Sequence, residues 1–223
     1  MIFVNSMSDL FHEDIPIWFI DRVFAVMAMA DQHIFQVLTK RPERMREYFD
    51  GYRPDGERHA AIWAQAVQHW AWTEQRDYFH FLPLPNVWLG VSVENQETAN
   101  ERIPLLLKTP AAVRWISAEP LLGPVDLNQR EWIIDKTRFK YTLGCYLDWV
   151  VVGGESGPKA RPFTLGMGMD IIRQCVADNV PVFMKQTGNN PVSLDGKRWP
   201  NITGKGHDPL EWPAEMRVQE YPI

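Results

Sequence analysis

Six short runs of valine, isoleucine and aromatic residues constrain this chain most: residues 2–5, 34–39, 87–93, 113–117, 149–153 and 182–185. Most are apolar almost throughout instead of alternating polar with apolar. Strands covered on both faces read this way, which predicts a parallel sheet with helices outside it. The runs start about 26 to 36 residues apart, the length of one βα unit, apart from one interval of about 53.

The intervening helices are legible. Pro16 stands near the start of the first, with Ile20, Val23, Phe24 and Met27 on one face, and Pro42 opens the second, with Met45, Tyr48 and Phe49 as its stripe. A further helix over 59–75, carrying Ile62, Ala66, Val67 and Trp70, accounts for the long interval. Another over 96–108 shows Ala99, Arg102, Ile103 and Leu106. The last, over 167–178, shows Ile171, Ile172, Cys175 and Val176, with Asn179 as a C-terminal cap before Pro181. Residues 126–147 read as a hairpin or short helix. The predicted architecture is one α/β domain, a parallel (βα) barrel or partial barrel of about six units over residues 1–188, with a helical insertion at about 50–80. An irregular tail over 189–223 packs on it.

Composition removes several function classes. The 28 acidic and 23 basic residues leave a net charge of −5, a poor basis for nucleic-acid binding. No apolar run is long enough to span a membrane, and no basic region precedes the apolar start, so the expected location is cytoplasmic. Cys145 and Cys175 are too few for a disulfide framework, a structural zinc or an iron–sulfur cluster. The six histidines lack paired metal-site spacing, and no metal ligand set is predicted.

Functional loops of a βα barrel follow the C-terminal ends of its strands. Here every strand ends in hydrogen-bonding residues: Asn5 and Asp9; Thr39, Lys40 and Arg41; Ser92, Glu94 and Asn95; Ser117 and Glu119; Gly153, Gly154 and Glu155; Lys185 and Gln186. Three carboxylates, Glu94, Glu119 and Glu155, each fall within a few residues of a strand end, which points to a polar ligand at this rim. Gly153-Gly154-Glu155-Ser156-Gly157 lets backbone approach a ligand or simply makes a tight turn. It is neither a dinucleotide-binding fingerprint, nor a Walker A loop, nor a serine-hydrolase elbow. Thr39-Lys40-Arg41-Pro42-Glu43 either holds an anion at a helix start or forms a salt-bridged turn with Glu43. Two of the three glutamates facing one cleft would suit a carboxylate-dependent hydrolase.

The segments Ile2-Phe3-Val4-Asn5-Ser6-Met7-Ser8-Asp9, Phe35-Gln36-Val37-Leu38-Thr39-Lys40-Arg41-Pro42, Asn86-Val87-Trp88-Leu89-Gly90-Val91-Ser92-Val93-Glu94-Asn95, Ser117-Ala118-Glu119-Pro120-Leu121-Leu122-Gly123-Pro124 and Trp149-Val150-Val151-Val152-Gly153-Gly154-Glu155-Ser156-Gly157 resemble, in order, the motifs of an uncharacterised phage and bacterial family that looks like a radical S-adenosylmethionine (radical SAM) barrel. The resemblance covers about residues 1–188. It implies S-adenosylmethionine and an iron–sulfur ([4Fe-4S]) cluster as cofactors for radical modification of a substrate. It further implies that Ser92, Glu94, Asn95, Ser117, Glu119, Gly153, Gly154 and Glu155 line the cofactor cavity. Asn5, Asp9, Lys40, Arg41 and Lys185 are the expected substrate contacts. The family's three cluster cysteines precede the segment equivalent to Ile2, so the expectation for this chain is about three-quarters of a barrel without cluster ligands, inactive alone. The alternative is a non-catalytic, phage-associated module that binds a nucleotide or a protein, at the rim or at the helix over 59–75. The expected partner is a small molecule or nucleotide at the rim. An open barrel edge at the first and last strands would favour a homodimer.

Overall fold

The computed structural model describes residues 1–50, 83–132, 146–200 and 202–222, together with Ile62 and Ala64. Six strands form the main sheet: β1 (Ile2–Val4), β2 (Phe35–Thr39), β3 (Val87–Ser92), β4 (Val113–Ala118), β5 (Trp149–Gly153) and β7 (Val182–Gln186). A short strand β6 (Phe163–Thr164) pairs in parallel with β8 (Pro191–Val192) in a separate two-stranded sheet. The large sheet is parallel and runs in the order β1-β2-β3-β4-β5-β7. Sequential order without reversal is the arrangement of consecutive βα units in a barrel or partial barrel, and not of a doubly wound sheet with a switch point. Four helices lie between these strands among the described residues: α1 (Ile17–Met29), α2 (Pro42–Asp50), α3 (Gln96–Lys108) and α4 (Leu165–Ala177). The helix expected over 59–75 lies outside the described residues apart from Ile62 and Ala64, both helical.

The chain divides into two compact units, residues 1–91 with 105–114, and residues 92–104 with 115–223. In the first, β2 lies between β1 and β3, with Phe35 opposite both Ile2 and Val87. The predicted stripe of α1 is buried at Ile20, Phe24 and Met27, and that of α2 at Met45, Tyr48 and Phe49. Phe24 packs at 5.4 Å from both Tyr48 and Phe49, and Phe11 closes on Tyr48 at 5.9 Å, ring contacts that add to the area buried. Among the described residues of this core the one acid, Asp21, accepts the Tyr48 hydroxyl at 3.0 Å.

In the second unit β5 lies between β4 and β7, every residue of β5 is buried, and the Trp115 ring packs at a tilt beside Trp149 at 5.4 Å. Helix α4 buries Leu165, Ile171, Ile172 and Cys175. Its end confirms the predicted cap: Asn179 takes φ 56°, the Val180 N–H reaches the Cys175 carbonyl at 2.9 Å, and the Asn179 N–H reaches Val176 at 3.3 Å. This is a Schellman closure with asparagine in place of glycine.

The tail does more than wrap the surface. Residues 218–220 lie antiparallel along β7: the Met184 N–H donates to the Val218 carbonyl at 2.9 Å and the Glu220 N–H to the Val182 carbonyl at 3.0 Å. The Trp149 indole donates to the Glu220 carbonyl at 2.8 Å, and its ring stacks on Tyr221 at 5.6 Å. The exposed edge expected at the last strand is therefore covered by the chain's own tail. Trp212 and Met216 are buried, so the tail contributes to the core of this unit.

Candidate functional site

In the first unit Asp9 is the centre of the polar loops after β1 and β2. Its carboxylate accepts the Phe11 N–H at 2.9 Å, the Thr39 hydroxyl at 2.8 and 3.0 Å, the Lys40 N–H at 2.9 Å and the Arg41 guanidinium at 3.1 Å. The Thr39 hydroxyl in turn accepts the Arg41 N–H at 2.9 Å. Two carboxylate oxygens offer about four acceptor sites, all in use. The predicted group of Asn5, Asp9, Lys40 and Arg41 is thus internally bonded at its middle. Arg41 pairs with Asp9, not with the Glu43 considered from sequence. Asn5 sits at φ 56° in the turn leaving β1, and its carbonyl accepts the Ser8 N–H.

In the second unit each of the three predicted carboxylates has a cation. Glu94 and Arg102 pair at 3.0 Å, both almost wholly buried, and the Arg102 guanidinium also donates to the Ser92 carbonyl at 2.9 Å. This pair ties the end of β3 to α3. Asn95 is the N-cap of α3: its side-chain oxygen accepts the Thr98 N–H at 3.0 Å while the Thr98 hydroxyl accepts the Asn95 N–H at 3.1 Å, a reciprocal capping arrangement. Asn95 therefore holds a helix end.

Glu155, just past β5, is gripped by Arg161. The guanidinium donates at 2.9 and 3.0 Å and the Arg161 N–H at 2.8 Å, which holds the Glu155 carboxyl down at about 2 against its ordinary 4.5. A carboxyl lowered by folding contributes stability that is complete above the unfolded value and is lost as pH falls through about 2. An NMR titration should place the Glu155 midpoint near 2, and Arg161→Ala should return it towards 4.5. A midpoint already near the ordinary value in the unmodified protein would show that the pair does not persist in solution.

Glu119 differs from the other two. It follows β4, its side chain is only 14% exposed, and its one close cation among the described residues, Lys185 on β7, lies at 3.1 Å but is 57% exposed. Burial raises the Glu119 carboxyl above its ordinary value, and the opposing attraction of Lys185, its hydrogen bond and that of Ser117 at 3.5 Å do not offset this. A mostly solvated ammonium is screened, whereas the desolvation of the carboxylate is not. Gly153 makes the arrangement possible, since a Cβ there would stand 2.5 Å from a Glu119 carboxylate oxygen. The Leu121 N–H donates to the Gly153 carbonyl at 3.0 Å, and the Glu119–Pro120 peptide is cis. Ser117, Glu119, Gly153 and Lys185, predicted from three separate strand ends, are one cluster. Gly154 instead closes the backbone onto the end of β7, its N–H reaching the Gln186 carbonyl at 2.9 Å.

Sequence reasoning missed Arg102 and Arg161 as partners. Arg102 carried a signal, because a charged residue on an otherwise apolar helical stripe announces a buried pair. Arg161 carried none.

Among the described residues no three histidines, cysteines or acids are placed to hold a metal. Cys175 is buried on α4, its thiol pushed up to about 12 by burial, and Cys145 lies outside the described residues. Cluster iron needs several accessible thiolates, so the residues described here do not fit an iron–sulfur cluster.

Consecutive parallel βα units with charged groups past the strand ends define an α/β protein of the (βα)-barrel class. The chain belongs to the family described as "protein of unknown function (DUF5131)", which it matches over residues 1–214. That span includes all the polar groups above and most of the tail. No curated protein and no solved structure matches the chain. No helix among the described residues is long and apolar enough to cross a membrane.

Proposed function

We propose that the second unit binds the aminoacyl end of S-adenosylmethionine at Glu119 and Lys185, as part of a radical-SAM-like barrel protein that modifies a substrate. The observation that carries this reading is the under-compensated Glu119 carboxylate, buried over Gly153 with an exposed ammonium as its one cation among the described residues. A ligand α-ammonium brought to Glu119 supplies the missing counter-charge, and Lys185, which reaches out from a strand end, is free to swing onto the ligand's α-carboxylate. Ser117 keeps a hydroxyl beside the carboxylate, and the absence of a Cβ at Gly153 lets the Glu119 carboxylate lie against the backbone. The two other carboxylates are less suited: Glu94 is buried with Arg102, and both Glu155 oxygens are taken by Arg161.

S-adenosylmethionine supplies, when bound, a sulfonium with carbon–sulfur bonds activated for cleavage. The roles of Glu119, Lys185 and Ser117 are to bind and orient it; electron delivery is not among them. The hydrolase alternative has less support, because a glutamate doubly bonded to arginine is a poor base.

Titration calorimetry of the full chain with S-adenosylmethionine, methionine and adenosine tests the reading. Saturable binding of S-adenosylmethionine and weaker binding of methionine are expected. Glu119→Gln and Lys185→Met should each weaken both by about tenfold or more, the worth of one charge-assisted hydrogen bond. Lys185→Met should also push the Glu119 midpoint further up, since Lys185 opposes the effect of burial. No heat with S-adenosylmethionine, or equal binding by both variants, sinks the proposal and leaves the non-catalytic binding module as the reading to pursue.

A further inference from the structure

The loop after β5 and the beginning of the tail enclose a second recess in the same unit. Gly157, Pro158, Ala160, Asn189, Asn190 and Arg198 line an open cavity of about 310 Å³. That is the lower end of the range for small-molecule sites. Its walls are pinned by the two asparagines. Asn189 accepts the Gly157 N–H on its side-chain oxygen at 2.7 Å and donates to the Gly204 carbonyl, while Asn190 donates to the Ala160 carbonyl at 3.2 Å. A carboxamide nitrogen carries two hydrogens, so each asparagine keeps one donor beyond these bonds. Gly157 takes φ 116°, and nothing lies within 4 Å of where its Cβ would be, so a ligand can rest against bare backbone.

One cation lines the recess itself. Arg198 is exposed and has no carboxylate partner among the described residues. The nearby carboxylates are already engaged, Glu155 by Arg161 at 2.9 Å and Asp195 by Lys197 at 2.8 Å. Lys159 lies between two lining residues and Lys205 next to Gly204, and both are exposed. In a chain of net charge −5, an exposed guanidinium on a polar recess, without a carboxylate partner among the described residues, forms a local attraction for an anion.

We propose that this recess binds a phosphate group, free or carried by a nucleotide, with the Arg198 guanidinium as its main contact and the two carboxamides as neutral donors. Donors on separate walls suit a tetrahedral oxyanion better than a planar carboxylate, and a guanidinium meets two of its oxygens at once. None of these side chains belongs to the Glu119 and Lys185 cluster, so the proposal stands or falls independently of the S-adenosylmethionine reading.

Calorimetric titration of the full chain with inorganic phosphate, AMP and adenosine, each to about 20 mM, gives the test. Phosphate and AMP bind saturably and adenosine does not. Tighter binding of AMP assigns the site to a nucleotide, and equal binding assigns it to free phosphate. Arg198→Ala weakens binding about tenfold, Arg198→Lys falls between it and the unmodified protein, and Lys108→Ala, a charge-matched change at the end of α3, leaves it unchanged. Adenosine binding as tightly as AMP, unchanged affinity in Arg198→Ala, or no saturable binding of either phosphate compound overturns the proposal.

Discussion

Replacing Gly154 by alanine is expected to lower the unfolding free energy by about 3 kcal/mol, the upper part of the range for forcing atoms into a packed interior. The added Cβ would lie 2.1 Å from the Thr187 carbonyl oxygen and 2.6 Å from its carbon, both backbone, and 2.9 Å from the Phe163 Cβ. None of these is the far end of a flexible side chain. The backbone cannot back away cheaply, because the Gly154 N–H is bonded to Gln186, and Thr187, fully buried, is bonded through its own N–H to the Gly206 carbonyl at 2.8 Å. Gly196→Ala provides the comparison. Its φ of 78° disfavours a side chain, but nothing lies within 4 Å, so only the conformational cost of about 1 kcal/mol applies. Urea unfolding of both variants separates collision from conformation. A Gly154→Ala protein as stable as the unmodified one would mean that β5 and the segment after β7 do not approach as described.

Asp9→Ala is the second large effect, about 3 kcal/mol off the stability of the first unit, from the loss of several hydrogen bonds to a charged acceptor. The carboxylate joins the turn after β1 to the start of α2 through the Thr39 hydroxyl, the Lys40 N–H and the Arg41 guanidinium. Removing it leaves Thr39, which is buried, with its hydroxyl proton unpaired. Asp9→Asn keeps the shape and part of the bonding, so about half of the loss is expected. Hydrogen exchange at the Lys40 amide reports the same event locally and should accelerate in both variants. If Lys40 exchanges at the same rate in Asp9→Ala, the carboxylate does not organise this junction.

The strands were readable because β5 and β3 are buried along their whole length, which forces uninterrupted apolar runs. Pro42 and Asn179 marked a helix start and a helix end through backbone chemistry that depends on one residue each. Carboxylates at strand ends could be read from position alone. Their environments could not: Glu94, Glu119 and Glu155 look alike in sequence, yet one is in a buried pair, one is under-compensated and one is fixed on the surface. The difference lies in partners brought in from α3, from β7 66 residues away and from the loop after β5. Half of the donors on Asp9, the Phe11 and Lys40 N–H groups, are backbone and leave no mark in residue types. The pairing of residues 218–220 with β7 escaped for a related reason: Val218-Gln219-Glu220 is too short and too polar to announce a strand.

That short pairing also sets the terms on which copies of this protein can associate. A bare strand edge templates any extended segment that meets it, whatever its origin. On β7 an intruder must first evict residues 218–220, together with the Tyr221 ring stacked on Trp149, before it gains a single backbone bond. The tail thus acts as a competitive inhibitor tethered to its own target, and its local concentration, fixed by the chain, outweighs that of any second molecule in dilute solution.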